Sequence, residues 1–122
     1  MLKNFLLVGL GGMIGSVLRY TASLIARNSG GGFPYATFTV NIIGSFLIGY
    51  VTGLALRENQ LSWDWKLFLA TGICGGFTTF SALSLEGVAL LQEQRYGTFA
   101  TYFIVSIGLG LIAAWSGLLL GK

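Results

Sequence analysis

Apolar residues form four long runs that are separated by short polar links. A helix rises about 1.5 Å per residue, so crossing the roughly 30 Å hydrocarbon layer of a membrane takes about 20 residues. Each run is long enough, which predicts an all-α membrane protein with one four-helix domain over residues 1–122. The predicted transmembrane helices cover residues 4–26, 36–56, 65–91 and 98–120.

The third run contains a cluster of residues that disfavour a continuous helix. Glycine loses more conformational freedom than other residues when it is fixed in a helix, and β-branched threonine is also a weaker helix former. We therefore expect the third helix to be broken near residues 74–79. An alternative interpretation is that the glycines allow close helix packing, as small residues commonly do in membrane proteins. The cluster consists of Gly72, Gly75, Gly76, Thr78 and Thr79.

Small residues also recur four positions apart in the other predicted helices. Residues at this spacing lie on one face of a helix, where they allow two backbones to approach closely. The pattern predicts a tightly packed bundle. The pairs are Gly11 and Gly15, Gly49 and Gly53, and Gly117 and Gly121.

Polar side chains inside the apolar runs repeat at helical spacing as well, so they share helix faces. Hydroxyl and amide groups donate hydrogen bonds, and aromatic ring edges carry partial positive charge, so a path lined by both suits a small anion. For each hydroxyl group, hydrogen bonding between helices is an alternative role. The polar residues are Thr37, Asn41 and Ser45 on the second helix, Ser81 and Ser84 on the third, and Thr98, Tyr102 and Ser106 on the fourth; Phe77 and Phe80 lie on a neighbouring face of the third.

The composition excludes a soluble protein and most enzymes. Of the 122 residues, 54% are hydrophobic and 9% are charged, and so short a chain cannot bury that much apolar surface in its own core. There is no histidine and only one cysteine, Cys74, which excludes intrachain disulfides and metal enzymes of the His or Cys type. Glu86 is the only carboxylate within an apolar run, and one carboxylate cannot form an acid/base pair.

The basic residues are scattered, which argues against nucleic-acid binding, and their balance bears on membrane orientation. Four crossings place both termini on one side, which receives four basic residues against three on the other. So small a difference predicts that the chain inserts in both orientations and pairs as an antiparallel dual-topology homodimer. The alternative is that such small numbers do not report orientation. The two sets are Lys3, Arg57, Lys66 and Lys122, and Arg19, Arg27 and Arg95.

Arg19 lies within the first apolar run, where a charge at the bilayer centre costs about 2.5 to 3.5 kcal/mol. Two interpretations are open. In one, the side chain reaches towards the membrane surface, since Tyr20 to Ala26 complete the span beyond it. In the other, it faces a vestibule and raises the local concentration of anions.

Three motifs resemble signatures of the Fluc, or CrcB, fluoride channels. They are GGMIGSVLR over Gly11–Arg19, TFTVNIIGSFLIG over Thr37–Gly49 and GICGGFTTFSALS over Gly72–Ser84. The resemblance covers the whole chain in length, order and number of spans, and the second and third motifs are specific to the family.

The resemblance implies a fluoride channel of the bacterial inner membrane, a dual-topology homodimer with two pores and a structural Na+ at its centre. Its partners would be fluoride, the lipid bilayer and a second copy of the chain. The backbone carbonyls of Gly75 and Thr78 would hold the Na+, and Arg19 would line the vestibule. The implied pathway residues are Asn41, Phe80, Ser81, Ser84 and Tyr102, to which the polar stripes add Thr37 and Ser106.

Two positions depart from the family pattern, which commonly reads TTFSTFS where this chain reads TTFSALS. Leu83 stands in the pathway where the family has a second pore phenylalanine, and Ala82 replaces a threonine. Leucine has no polarised ring edge and alanine has no hydroxyl group. We therefore expect an altered rate or weaker selectivity.

The leading hypothesis is passive export of fluoride, which enters as HF when the outside is acidic and is then trapped as the ion. The alternative is a small dual-topology proton-coupled multidrug transporter. Such transporters rely on a carboxylate in the first helix, which here carries Arg19 and no acid. A third hypothesis, a non-conducting scaffold, predicts that Asn41→Ala and Phe80→Ala variants leave fluoride tolerance unchanged.

Overall fold

The computed structural model describes residues 1–26, 32–57 and 61–122. Two segments lie outside these described residues. They are residues 27–31, which include the basic residue Arg27 and most of the first polar link, and residues 58–60 of the second link. The described part of the chain is helical and contains four helical stretches long and apolar enough to cross a membrane, which confirms that part of the prediction. Each predicted helix lies inside an observed stretch. These stretches are Leu2–Ala26, Tyr35–Leu56, Trp63–Gln92 and Tyr96–Gly121.

Three of the four spans are single α-helices, whereas the third span is composite. Its helix begins at Trp63, before the predicted start, because the Ser62 hydroxyl accepts a hydrogen bond from the Trp65 N–H at 3.4 Å and so caps the first turn. The single helices are α1 (Leu2–Ala26), α2 (Tyr35–Leu56) and α6 (Tyr96–Gly121). The third span contains α3 (Trp63–Lys66), a π-helical segment (Leu67–Cys74), α4 (Gly75–Phe77) and α5 (Phe80–Gln92).

The backbone of the third span stays helical through its glycines and changes at the two threonines that follow. In the π-helical segment the hydrogen bonds reach five residues back, as from the Gly75 N–H to the Ala70 carbonyl. Thr78 (φ −87°, ψ 156°) and Thr79 (φ −153°, ψ 120°) then have extended dihedral angles between α4 and α5. The sequence pattern does not predict the π-helical segment.

Gly72 and Gly76 of the third span pack against α1. A methyl group added to Gly72 would lie 2.9 Å from the Cα atom of Gly11, and one added to Gly76 would lie 3.0 Å from the Cα atom of Gly12. These distances leave no room for a side chain between the two backbones. Close packing, the alternative interpretation drawn from the sequence, therefore accounts for Gly72 and Gly76.

Helices α2 and α6 form the most extensive contact between two spans, and small residues again lie at their interface. A methyl group added to Gly53 would lie 2.9 Å from the Cα atom of Gly121, and Gly49 and Gly117 meet the backbone of the opposite helix in the same way. The predicted small-residue pairs on these two helices are packing positions, as expected.

The interior of the chain is small, and most large apolar side chains face outward. Tyr102 is fully buried and packs with Leu83 and Leu90. By contrast, Leu111 and Trp115 on α6 are both 69% exposed. Such an exterior is typical of helices whose solvent is lipid. Among the described residues, hydrogen bonds between the spans gather around Thr79 and around Glu86.

Candidate functional site

The Asn41 amide binds the backbone of Thr79 through both of its polar atoms. The Thr79 N–H donates to Asn41 Oδ1 at 2.8 Å, and Asn41 Nδ2 donates to the Thr79 carbonyl at 3.1 Å. At an extended residue inside an apolar layer these backbone groups lack both helical partners and water, so an unpaired state would be costly. Asn41 supplies the partners from α2.

The two threonine side chains cap the helices on either side. The Thr78 hydroxyl donates to the Cys74 carbonyl at 2.9 Å, and the Thr79 hydroxyl accepts from the Ala82 N–H at 3.1 Å, which caps α5. The Thr79 hydroxyl also lies 3.1 Å from the Ser81 hydroxyl. On the α2 side, a side chain at Gly44 would overlap that of Thr78. Gly44 therefore provides the space in which Thr78 packs.

Arg19 binds the other side of the same region. Its Nε donates to the Gly76 carbonyl at 3.3 Å, so α1 contacts the last turn of α4 through this side chain. Arg19 is partly buried. Neither sequence-based interpretation of Arg19 anticipates a hydrogen bond to the third span.

A cavity of about 270 Å³, here called the Asn41 cavity, lies between α2, α6 and the threonines. The Ser106 hydroxyl is buried and has no hydrogen-bond partner among the described residues. Phe80 is 76% exposed on the surface of the chain, whereas Leu83 is buried. The lining includes Asn41, Ser45, Thr79, Phe80, Leu83 and Ser106.

Glu86 receives hydrogen bonds from two predicted pathway residues. The Thr37 hydroxyl donates to Glu86 Oε2 at 2.9 Å, and the Tyr102 hydroxyl donates to Glu86 Oε1 at 2.8 Å. Both donors are buried. A carboxylate within a membrane span is costly unless it is paired in this way. The two hydroxyl groups are thereby held in fixed orientations.

A second cavity of about 370 Å³, here called the Arg19 cavity, lies between α1, α2 and α5. The extended residue Thr79 lines it as well as the Asn41 cavity, so both cavities border this residue. Arg19 and Glu86 contribute opposite charges to its wall. The lining also includes Ser16, Tyr20, Ser23, Thr37 and Ala82.

The structure brings most of the predicted site residues to these two cavities. Asn41, Phe80, Leu83 and Ser106 line the Asn41 cavity, and Thr37 and Arg19 line the Arg19 cavity. Ser81 is exposed beside Thr79, and Ser84 is partly buried and lines neither cavity. Tyr102 contacts Glu86, and the predicted metal ligands Gly75 and Thr78 lie at the two ends of α4.

Three residues with a part in the site were missed as such from the sequence. The sequence identifies Glu86 only as a lone carboxylate, although it identifies Thr37 and Tyr102 as polar residues within spans. Gly44 lies three residues after Asn41, and its small size is a signal for close approach of the third span. Thr79 was treated as a helix-disfavouring residue, whereas its hydroxyl group is a helix cap.

Four spans, two cavities lined in part by polar side chains and an extended segment inside the bundle define a multi-pass membrane protein. Residues 6–118 match the family described as CrcB-like protein, Camphor Resistance (CrcB). The chain belongs to this family.

Relatives agree with this assignment over nearly the full length. The chain is 48% identical to the fluoride-specific ion channel FluC of Chlorobaculum tepidum over 121 residues, covering 99% of this chain and 96% of the relative. It is 47% identical to the protein of that name from Chlorobium phaeobacteroides, covering 97% and 92%. Identity to the one from Azobacteroides pseudotrichonymphae is also 47%, covering 98% and 97%.

Proposed function

We propose that the chain is a fluoride-selective channel of the bacterial inner membrane, through which fluoride leaves the cytoplasm passively. The observation that carries the proposal is Ser106, which lines the cavity beside Asn41 and Thr79 and whose buried hydroxyl has no partner among the described residues. Buried polar groups are normally hydrogen-bonded, so an unpaired hydroxyl on a residue that lines a cavity suits a ligand that passes through. The names of the relatives support fluoride as that ligand.

The proposed pathway follows the two cavities that border Thr79. Fluoride is a small anion and a strong hydrogen-bond acceptor. The Ser106 hydroxyl, the second N–H of the Asn41 amide and the ring edge of Phe80 would replace part of its hydration shell. Five residues of this proposed pathway line the cavities, namely Thr37, Asn41, Phe80, Leu83 and Ser106, and the proposal adds Ser81, Ser84 and Tyr102 on the adjoining α5 and α6.

Glu86 limits where the anion can bind along this path. Its carboxylate repels fluoride, so the position at which the anion loses most water belongs in the Asn41 cavity. In this arrangement Glu86 serves to orient the Thr37 and Tyr102 hydroxyl groups.

We propose that the functional unit is an antiparallel, dual-topology homodimer. Phe80 and Leu85 on α5 are 76% and 71% exposed, and the Asn41 cavity opens on the surface of the chain. A second copy related by a two-fold axis would cover this opening with the same elements, because a two-fold interface uses the same patch on both copies. The near-equal basic charge on the two sides of the membrane supports insertion in both orientations.

We also propose that Thr78 and Thr79 form a functional break in the third helix, with a structural Na+ bound beside it. The Gly75 and Thr78 carbonyls fit this role because their usual helical donors are engaged elsewhere. The Thr79 N–H donates to Asn41, and the Ala82 N–H donates to the Thr79 hydroxyl. Neutral carbonyl oxygens suit a small hard cation, and the bound ion would compensate their partial negative charge.

Efflux from proteoliposomes tests the proposed function. Purified protein in vesicles loaded with potassium fluoride should release fluoride, detected with a fluoride electrode, once valinomycin carries the compensating potassium. Vesicles loaded with potassium chloride should release little chloride. Chloride efflux as fast as fluoride efflux would contradict selectivity, and efflux equal to that of protein-free vesicles would contradict channel function.

Labelling tests the dual topology. Cys74 is buried, and a Cys74→Ala, Lys122→Cys variant carries one reactive cysteine at the exposed C-terminus. In intact spheroplasts, a membrane-impermeant maleimide should modify about half of the chains if both orientations are equally populated. Complete modification or none would show a single orientation.

The transporter alternative is not favoured, because α1 carries no acid and the relatives are named as fluoride channels.

A further inference from the structure

The Gly76 carbonyl lies where the regular hydrogen bonding of the third span ends. In a continuous α-helix it would accept from the N–H of Phe80, four residues later. The extended backbone at Thr78 and Thr79 removes that arrangement. The Nε of Arg19, at 3.3 Å, is the donor that the structure provides instead.

Arg19 reaches this carbonyl because α1 and α4 are in close contact. A methyl group added to Gly76 would lie 3.0 Å from the Cα atom of Gly12, and Gly15 directly faces the backbone of Phe77. Arg19 follows Gly15 by one helical turn and so extends from the same face of α1. The glycines bring the backbones together, and Arg19 then forms the hydrogen bond at the edge of that contact.

We propose that Arg19 is a positioning residue, whose Nε–H holds the Gly76 carbonyl and thereby fixes the end of α4 relative to Thr79 and the Asn41 cavity. This inference rests on the proposed function and assigns Arg19 a role distinct from attracting anions by its charge. Arg19 from α1 and Asn41 from α2 then hold the extended segment from two sides. The ion path depends on Arg19 through the backbone of the third span.

Three substitutions separate the hydrogen bond from the charge. In Arg19→Gln the amide nitrogen follows three carbon atoms of the side chain, as Nε does in arginine, so the donor is kept and the charge is removed. Arg19→Met places a methyl group at that point and lacks both donor and charge. Arg19→Lys keeps the charge but has a methylene group there, with its ammonium one bond further on.

Fluoride efflux from proteoliposomes is compared among wild type and these variants, with equal amounts of protein that elutes as one species in gel filtration. We expect Arg19→Gln to stay within about threefold of wild type and Arg19→Met to lose about tenfold or more, as for a lost hydrogen bond to a charged donor. Arg19→Lys should fall below Arg19→Gln. Equal losses in Arg19→Gln and Arg19→Met, with recovery in Arg19→Lys, would overturn the proposal in favour of a charge effect.

Hydrogen exchange gives a second measurement that does not depend on conduction. In Arg19→Lys, and in Arg19→Met if it folds, the amides of residues 77–82 should exchange at least about tenfold faster than in wild type, while Arg19→Gln should be close to wild type. Unchanged exchange in all variants would contradict the positioning role. If wild type fails to conduct fluoride but the exchange pattern holds, the proposed function fails while the structural role of Arg19 stands.

Discussion

Asn41 and Thr79 are joined by two hydrogen bonds, in which one side-chain amide pairs with both backbone groups of a residue on another span. The geometry resembles one unit of strand pairing, with a side chain in place of the second strand. It allows an extended residue to exist inside an apolar bundle without unpaired backbone groups at that position.

Asn41→Asp tests this pair. Aspartate keeps the acceptor for the Thr79 N–H but has no N–H to donate, and its second oxygen would face the Thr79 carbonyl. We expect a loss of unfolding free energy of about 1 to 3 kcal/mol and a strong reduction of fluoride efflux. Chemical denaturation in detergent micelles measures the former. Thr52→Val is the matched control on α2, because the exposed Thr52 hydroxyl donates to the Ile48 carbonyl of its own helix. Equal unfolding free energies for Asn41→Asp and Thr52→Val would contradict the prediction.

A second prediction concerns the coupling of Tyr102 to Glu86. Tyr102→Phe removes a buried donor to the carboxylate, and hydrogen bonds to charged groups contribute about 1.5 to 3 kcal/mol. Tyr102→Phe should lower the unfolding free energy less in a Glu86→Gln background than in wild type. The difference, which is the coupling energy, should be about 0.5 kcal/mol or more. Tyr96→Phe, at an exposed position, should show no coupling. Additive effects of Tyr102→Phe and Glu86→Gln would mean that the contact contributes nothing.

The contact between α1 and the third span predicts opposite outcomes for two alanine substitutions. In Gly72→Ala the new methyl group would meet the Cα atom of Gly11 at 2.9 Å, so backbones must separate, at a cost of about 1 to 3 kcal/mol. Gly9 lies on α1 with open space around it, and Gly9→Ala should be neutral or slightly stabilising. Thermal unfolding of both purified variants provides the comparison. A Gly9→Ala protein no more stable than Gly72→Ala would contradict it.

Leu83 offers a test of the departure from the family pattern. Leu83→Phe restores a ring at a buried position that borders the Asn41 cavity, where space is available for it. We expect the ratio of fluoride to chloride efflux to rise, because the ring edge adds a partial positive contact for the anion. Leu83→Met, which is similar in volume but lacks a ring, should leave the ratio unchanged. Identical ratios for Leu83→Phe and wild type would show that this position does not contact the anion.

The proposed Na+ predicts that stability depends on the cation present. An ion that binds only the folded dimer raises the unfolding free energy of the dimer as the ion concentration increases. The increase is about 2.7 kcal/mol when that concentration is one hundred times the dissociation constant. Thermal unfolding in sodium chloride should therefore occur at higher temperature than in N-methyl-D-glucamine chloride of equal ionic strength. Unfolding at the same temperature in both salts would contradict a sodium site at Gly75 and Thr78.

The number and extent of the spans could be predicted because a bilayer sets a minimum length for apolar helices. Spacing alone also placed Gly49, Gly53, Gly117 and Gly121 at packing positions. The pattern did not separate the roles of neighbouring glycines and threonines in the third span, since both disfavour helix. Packing decides between them: Gly72 and Gly76 remain helical against α1, and the extended angles fall on Thr78 and Thr79.

The chemistry of the site was only partly predictable for a similar reason. Spacing identifies polar residues that share a face, but it does not say which acceptor each donor finds. Thr37 and Tyr102 were expected beside an anion, and the structure directs both hydroxyl groups to Glu86. Asn41 was expected to need partners because a buried amide is costly alone, and its partners are the backbone groups of Thr79.

Helix α5 starts at Phe80 and runs for 13 residues, so its aligned peptide dipoles place about half a positive elementary charge at its first turn. That turn borders the Asn41 cavity. The positive end of this dipole favours an anion, although no lysine or arginine among the described residues lines the cavity wall. Attraction to a partial charge is weaker than a salt bridge, and an ion held so loosely can move on, as rapid conduction requires.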